Sequence, residues 1–170
     1  MKKIVCALLI VCFAFSLVAC GGGNKQPDLP AGYVRYSYNK LSFAYPEGWT
    51  QTSNAPLIIQ DANTGNNFTV VVEPKVAFYD TMTAESYYNA YAPQFAAMGM
   101  TISNVTLKRE TTNGLSVIRV SLTNQMQGIT MQQTQFIVAV GEEHYTVSVT
   151  QVTQVPGLVE NVFKTLYVPQ

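Results

Sequence analysis

The chain has 170 residues, 48% of them hydrophobic, and its 10 basic and 10 acidic side chains give a formal net charge of zero. With only 12% charged residues and no basic excess, it lacks the electrostatic footprint of a nucleic-acid binder. A single histidine excludes a His-rich zinc centre, and the placement of the 3 cysteines leaves no thiol pair for a disulfide in the folded part.

Two of those cysteines, Cys6 and Cys12, lie in an N-terminal segment with the marks of a secretory signal. Met1-Lys2-Lys3 forms a basic start, residues 4–19 are apolar, and small residues precede the cut. The ending Leu17-Val18-Ala19-Cys20 resembles the lipobox of bacterial lipoproteins. That resemblance implies cleavage after residue 19, a diacylglycerol thioether on Cys20 and acylation of the new amino group. Residues 1–19 are then a lipoprotein signal peptide, and Cys20 is the lipidated first residue of the mature chain. An uncleaved membrane helix is the alternative, but 16 apolar residues fall short of the roughly 20 that span a bilayer core. An ordinary cleaved signal is the other. Lys2 and Lys3 leave with the signal, so acidic residues then slightly outnumber basic ones. Attachment would therefore rest on acyl chains, with no polybasic segment to assist.

Residues 20–32 read CGGGNKQPDLPAG, with only Leu29 of any bulk. Such a stretch cannot bury enough apolar surface to offset its ordering, and it is expected to be a flexible tether. The folded domain is placed at residues 33–170. Residues 41–45 alternate as a strand until Pro46-Glu47-Gly48 breaks it. Residues 57–60 and 68–72 are strands flanking the turn-rich segment 61–66, a hairpin. Thr83 is an N-cap with Glu85 in the first turn, and Tyr87, Tyr91, Phe95 and Met98 follow at helical spacing. Pro93 should kink that helix or end its regular part, and Gly99 closes it. Residues 101–111 and 115–123 flank Asn113-Gly114, a strong two-residue hairpin signal. Residues 128–140 and 144–153 flank Gly141-Glu142-Glu143 likewise. Pro156, at the first helical position, starts an apolar stripe of Leu158, Val159, Val162, Phe163 and Leu166. Strands, helix, four strands and a last helix make an α+β domain with a mainly antiparallel central sheet and helices packed on it.

The segment Leu41-Ser42-Phe43-Ala44-Tyr45-Pro46-Glu47-Gly48-Trp49 resembles the entry to PsbP-like domains, which share the fold of the Mog-type Ran-binding proteins. In them an apolar strand ends in Tyr-Pro-x-Gly-Trp and the tryptophan folds back onto the sheet. Hairpin, helix, meander and C-terminal helix follow in the same order over residues 35–167. The resemblance implies an α/β/α sandwich around an antiparallel sheet. Its members include extrinsic photosystem II subunits, a Ran-binding protein and envelope lipoproteins, so what carries over is only a non-catalytic binding or assembly role. Neither the photosystem nor the Ran surface has a counterpart in these residues.

Catalytic motifs are scarce. Glu142-Glu143-His144 could form a metal corner, but neighbouring strand residues point to opposite faces, and a solvated hairpin tip is the plainer reading. A Ser-His-Asp set would need His144 beside Asp28, Asp61 or Asp80, with no nucleophile elbow in the chain. Glu73, Asp80, Glu85 and Glu110 offer carboxylates with no pairing visible in the sequence. No cofactor and no metal site are expected. Partner contact is better served by the aromatic segment 76–91, where Phe78, Tyr79 and Tyr88 are candidate partner-binding residues while Tyr87 and Tyr91 pack on the sheet with Phe95. The polar rows Thr130, Gln132, Thr134 and Thr146, Ser148, Thr150 read as the wet side of the sheet.

The sequence thus points to a lipoprotein anchored in the cell membrane through Cys20, on the periplasmic or cell-surface side. Its domain is expected to bind an envelope protein or glycan without catalysis. The alternative is a small enzyme or accessory protein acting on cell-wall polymer, which would need a concave site with converging carboxylates.

Overall fold

The computed structural model describes residues 26–169; the signal segment and Cys20 lie outside the described residues. The first two strands, β1 (Tyr33–Tyr38) and β2 (Leu41–Pro46), form a separate antiparallel hairpin. Then come β3 (Thr50–Asn54), β4 (Leu57–Gln60) and β5 (Asn67–Pro74), followed by a single helical turn α1 (Phe78–Thr81) and helix α2 (Ala84–Ala97). The meander β6 (Met100–Thr112), β7 (Leu115–Met126), β8 (Ile129–Val140) and β9 (Glu143–Gln151) precedes α3 (Leu158–Thr165). The seven strands of the main sheet stand in the order β3-β4-β5-β9-β8-β7-β6, every neighbouring pair antiparallel. The α+β class with a large antiparallel sheet follows as expected.

Local chemistry explains the connections. At the β6–β7 turn Asn113 and Gly114 both take positive φ, 47° and 77°, which the tight turn between right-twisted strands requires. That turn also does a second job. The Asn113 amide donates to the carbonyls of Lys164 and Leu166 at 2.7 and 2.9 Å, satisfying the end of α3. Thr83 caps α2 by accepting from the Ser86 N–H at 3.1 Å, and the Ser86 hydroxyl accepts from the Thr83 N–H in return. Helix α2 runs through Pro93 to Ala97.

Two corrections concern the elements. Helix α3 does not open on Pro156: Gly157, with φ of 75°, is its N-cap and Leu158 its first residue. Strands β1 and β3 and the turn α1 also add to the expected order. Segment Thr50–Asn54 is uniformly polar because β3 is an edge strand, mostly exposed, and so lacks the alternation that marks a half-buried one.

The sheet is covered on both faces. On one lie the β1–β2 hairpin and α3, enclosing Phe43, Phe68, Phe136, Val138, Tyr145, Val147, Leu158 and Val162 in an apolar core. Trp49 folds back there, its ring 5.0 Å from that of Phe68, and stays half-buried. Arg119 closes this layer: it pairs with Glu110 at 2.8 Å and Glu160 at 2.6 Å and lies over the Phe163 and Phe136 rings. A bridge between Ser42 and Tyr167 ties the C-terminal residues to β2. On the other face α1 and α2 cover a smaller core of Tyr79, Met82, Tyr87, Ile102, Val120, Leu122 and Ile137. No helix among the described residues is long and apolar enough to cross a membrane.

Candidate functional site

Side chains two apart on a strand share a face, so the register places Arg109, Ile118, Ile137 and Thr146 in one row on the α1–α2 side. Ala139 and His144 form the next row toward the sheet's end. Turn α1 stands over these rows and encloses a concave site of about 350 Å³. Its polar lining is Tyr79, Asp80, Arg109, Thr111, Ser116 and His144, with Ile118, Ile137 and Ala139 contributing apolar surface.

Each polar group has a definite setting. Arg109 donates through Nη2 to the carbonyl oxygens of Tyr79 and Met82 at 3.0 and 3.2 Å, so it holds α1 in place. His144 is only 3% exposed. Its Nδ1 accepts from the Val76 N–H at 3.1 Å, which leaves the ring proton on Nε2. Burial pushes the imidazole pKa down, against the pull of Glu73 and Asp80 and with a smaller push from Lys75. Tyr79 stands edge-on to that imidazole, ring centres 4.7 Å apart. Its hydroxyl donates to Glu73 at 2.6 Å and lies 3.0 Å from the Tyr91 hydroxyl. Burial raises the Tyr79 pKa strongly, and the bonds to Glu73 and Tyr91 act in the same sense, so this phenol stays neutral.

The aromatic residues of segment 76–91 divide by exposure. Tyr88 is 43% exposed and Phe78 half-buried, so both reach the surface. Tyr79 does not: at 5% exposure it supports α1 from beneath, because only one of two adjacent aromatics on a short turn can face the sheet. Tyr87 is buried as expected, its hydroxyl donating to Gln135 at 2.9 Å and its ring 4.6 Å from that of Tyr91.

His144 is not on a solvated hairpin tip. The strand alternation does separate it from Glu143, which pairs with Lys40 at 2.7 Å on the hairpin side. His144 instead turns under α1, which excludes water from it. The row Thr146, Ser148 and Thr150 is likewise not fully wet, since Ser148 and Thr150 are buried. Gln133 links the strip by accepting from Asn124 at 3.0 Å and donating to Thr150 at 3.2 Å.

Asp80 and Glu110 both border the concave site, but the register turns the Glu110 carboxylate to the opposite face of the sheet. Glu110 is held by Arg119, so they do not form a free acid–base pair. Among the described residues no cluster of three or more His, Cys, Asp or Glu could hold a metal ion. A second, mostly apolar groove runs between α2 and the edge strand β6, lined by Tyr88, Ala92, Pro93, Ala96, Met100 and Ile102.

No family model matches the sequence, and no curated protein is similar to it. Solved structures are. The solution structure of cyanobacterial PsbP (CyanoP) from Synechocystis sp. PCC 6803 superposes with a TM-score of 0.61 at 16% identity, covering 90% of this chain and 99% of that one. A crystal structure from Bacteroides thetaiotaomicron gives 0.49 at 15% identity, over 77% of this chain and 46% of the other. With its hairpin, seven-stranded antiparallel sheet and helices on both faces, the domain has the PsbP-like fold.

Proposed function

We propose that this protein is a lipid-anchored lipoprotein of the cell envelope, outside the cytoplasm, whose domain binds a partner or helps assemble a larger complex and catalyses nothing. The observation that carries the reading is the likeness of nearly the whole chain to cyanobacterial PsbP, joined to the Leu17-Val18-Ala19-Cys20 motif. The contact region is the outer side of α1 and α2. There Val76, Tyr88 and Met98 are exposed at 41%, 43% and 59%, and Phe78 stands half-buried beside them. Tyrosine and methionine suit such a face, since both bury apolar area at low entropic cost or adapt to a partner's shape.

The test is crosslinking in cells from a photoreactive residue at position 88 of the full-length protein, with mass spectrometry of the products. A recurrent single partner supports the reading. Capture of abundant envelope proteins alone, equal to that from a probe at Asn63 on the exposed β4–β5 turn, overturns it. Anchoring is tested separately with Cys20→Ala, which should release the protein from membranes or leave an unprocessed precursor. Normal processing and unchanged membrane fractionation would overturn the lipid anchor.

A further inference from the structure

The concave site under α1 joins two exposed charges, Arg109 and Asp80, to one buried imidazole, His144. Arg109 uses Nη2 for the two α1 carbonyls. Among the described residues it has no ion pair, and Nε and Nη1 have no protein acceptor. Asp80 lines the same cavity and also has no ion pair among the described residues. The Glu110 carboxylate points to the opposite face of the sheet, where it pairs with Arg119 at 2.8 Å. His144, nine-tenths buried, adds an Nε2–H donor with no protein acceptor, because its Nδ1 is engaged by Val76. Thr111 and Ser116 supply hydroxyls at the cavity wall.

A cation and an anion exposed on one cavity, with the buried His144 Nε2–H inside it, suit a ligand that carries both charges. A simple carboxylate would satisfy Arg109 and His144 but leave Asp80 repelled. An amine alone would leave Arg109 uncompensated. A phosphate would add two negative charges beside Asp80. We propose that the cavity binds a small zwitterion of the amino-acid or short-peptide type, its carboxylate on Arg109 and the His144 Nε2–H and its ammonium on Asp80. Ile118, Ile137 and Ala139 then receive an apolar side chain. At about 350 Å³ the cavity is within the usual range for small-molecule sites and has room for a dipeptide. Guanidinium–carboxylate contact gives such a site its strongest anchor. This goes beyond the assembly reading, and either can hold without the other.

The experiment is calorimetric titration of the full-length protein in detergent with glycyl-leucine, N-acetyl-glycyl-leucine and glycyl-leucinamide. Saturable one-to-one binding of the free dipeptide is expected, weakened about tenfold or more by blocking either end. Arg109→Gln should abolish binding, but it also releases α1 from its two carbonyl contacts. Asp80→Asn is therefore the sharper variant: its dipeptide affinity should fall to that of the acetylated peptide for the wild type, and acetylation should no longer matter. Absence of saturable binding overturns the proposal. So does equal binding of the blocked peptides by the wild type, or unchanged discrimination in Asp80→Asn.

Discussion

The two faces of the sheet are built from different materials. The face under α3 and the hairpin is dry and aromatic: Phe43, Phe68, Phe136 and Tyr145 are fully buried, and the Phe136 ring stacks on Phe163 with centres 5.7 Å apart. The face under α1 and α2 is closed by tyrosines whose hydroxyls must each find a partner, Glu73 and Tyr91 for Tyr79 and Gln135 for Tyr87. Apolar burial stabilises without direction, whereas a buried hydroxyl is favourable only in one arrangement. The first face thus carries the stability of the domain. The second trades some of it for a cavity and an exposed rim.

Substitutions can break or sharpen that contrast. Phe136→Ala, in the dry layer, should cost about 3–5 kcal/mol in denaturant unfolding. A loss under about 2 kcal/mol would mean that the core does not rest on this face. Trp49→Ala should cost about 2 kcal/mol, less than a core aromatic because half the ring is already in contact with water. Tyr87→Phe, on the helical face, keeps the ring and removes only the bond to Gln135. It should cost about 1 kcal/mol, and a cost equal to Phe136→Ala would erase the difference between the faces.

His144 gives that same face a pH dependence. Its folded pKa lies below the ordinary 6.5, so the unfolded chain binds the proton more readily. Its contribution is fully present above pH 6.5 and is lost as pH falls from there through the lowered folded value. Glu73, Asp80, Lys75 and Tyr79 are the groups facing it. His144→Gln should flatten the drop in unfolding free energy as pH falls below about 6.5, and an unchanged slope would assign that drop to other groups. The smallest effect belongs to Tyr88→Ala: stability within about 0.5 kcal/mol, measured by urea unfolding. A larger loss would make Tyr88 a structural residue and remove it from the contact surface.

Much of this architecture is readable from residues alone. Asn113-Gly114, the alternation around Phe43 and the stripe from Leu158 to Leu166 each state a local preference that the fold keeps. Segment Tyr33–Tyr38 is a strand that its sequence conceals, because Tyr-Val-Arg-Tyr-Ser-Tyr mixes bulk and polarity with no clear period. Adjacent Phe78 and Tyr79 look equivalent on paper; only the position of β6 and β9 beneath α1 decides which one turns inward. The concave site was invisible for a related reason. Asp80, Arg109, Ser116 and His144 come from four elements, and antiparallel pairing across β6, β7, β8 and β9 brings them together without leaving a local motif. Aromatic candidates stand out because they cluster in sequence; Asp80 and His144 read only as isolated groups and Arg109 carries no signal, because they meet only in space.

The chain ahead of β1 is already fastened to the hairpin. The Arg35 guanidinium donates to the Pro27 carbonyl and lies over the Tyr167 ring, and the Glu47 N–H donates to the Gly32 carbonyl at 2.8 Å. With Cys20 as the proposed anchor, only the seven residues from Cys20 to Gln26 separate lipid from folded protein, at most about 25 Å of extended chain. Under that proposal, so short a leash would confine the domain to a thin shell above the bilayer and turn its search for a partner from three dimensions into two. It leaves the domain by the hairpin layer, opposite α1 and α2, so whatever docks on the tyrosine side meets no tether in its path.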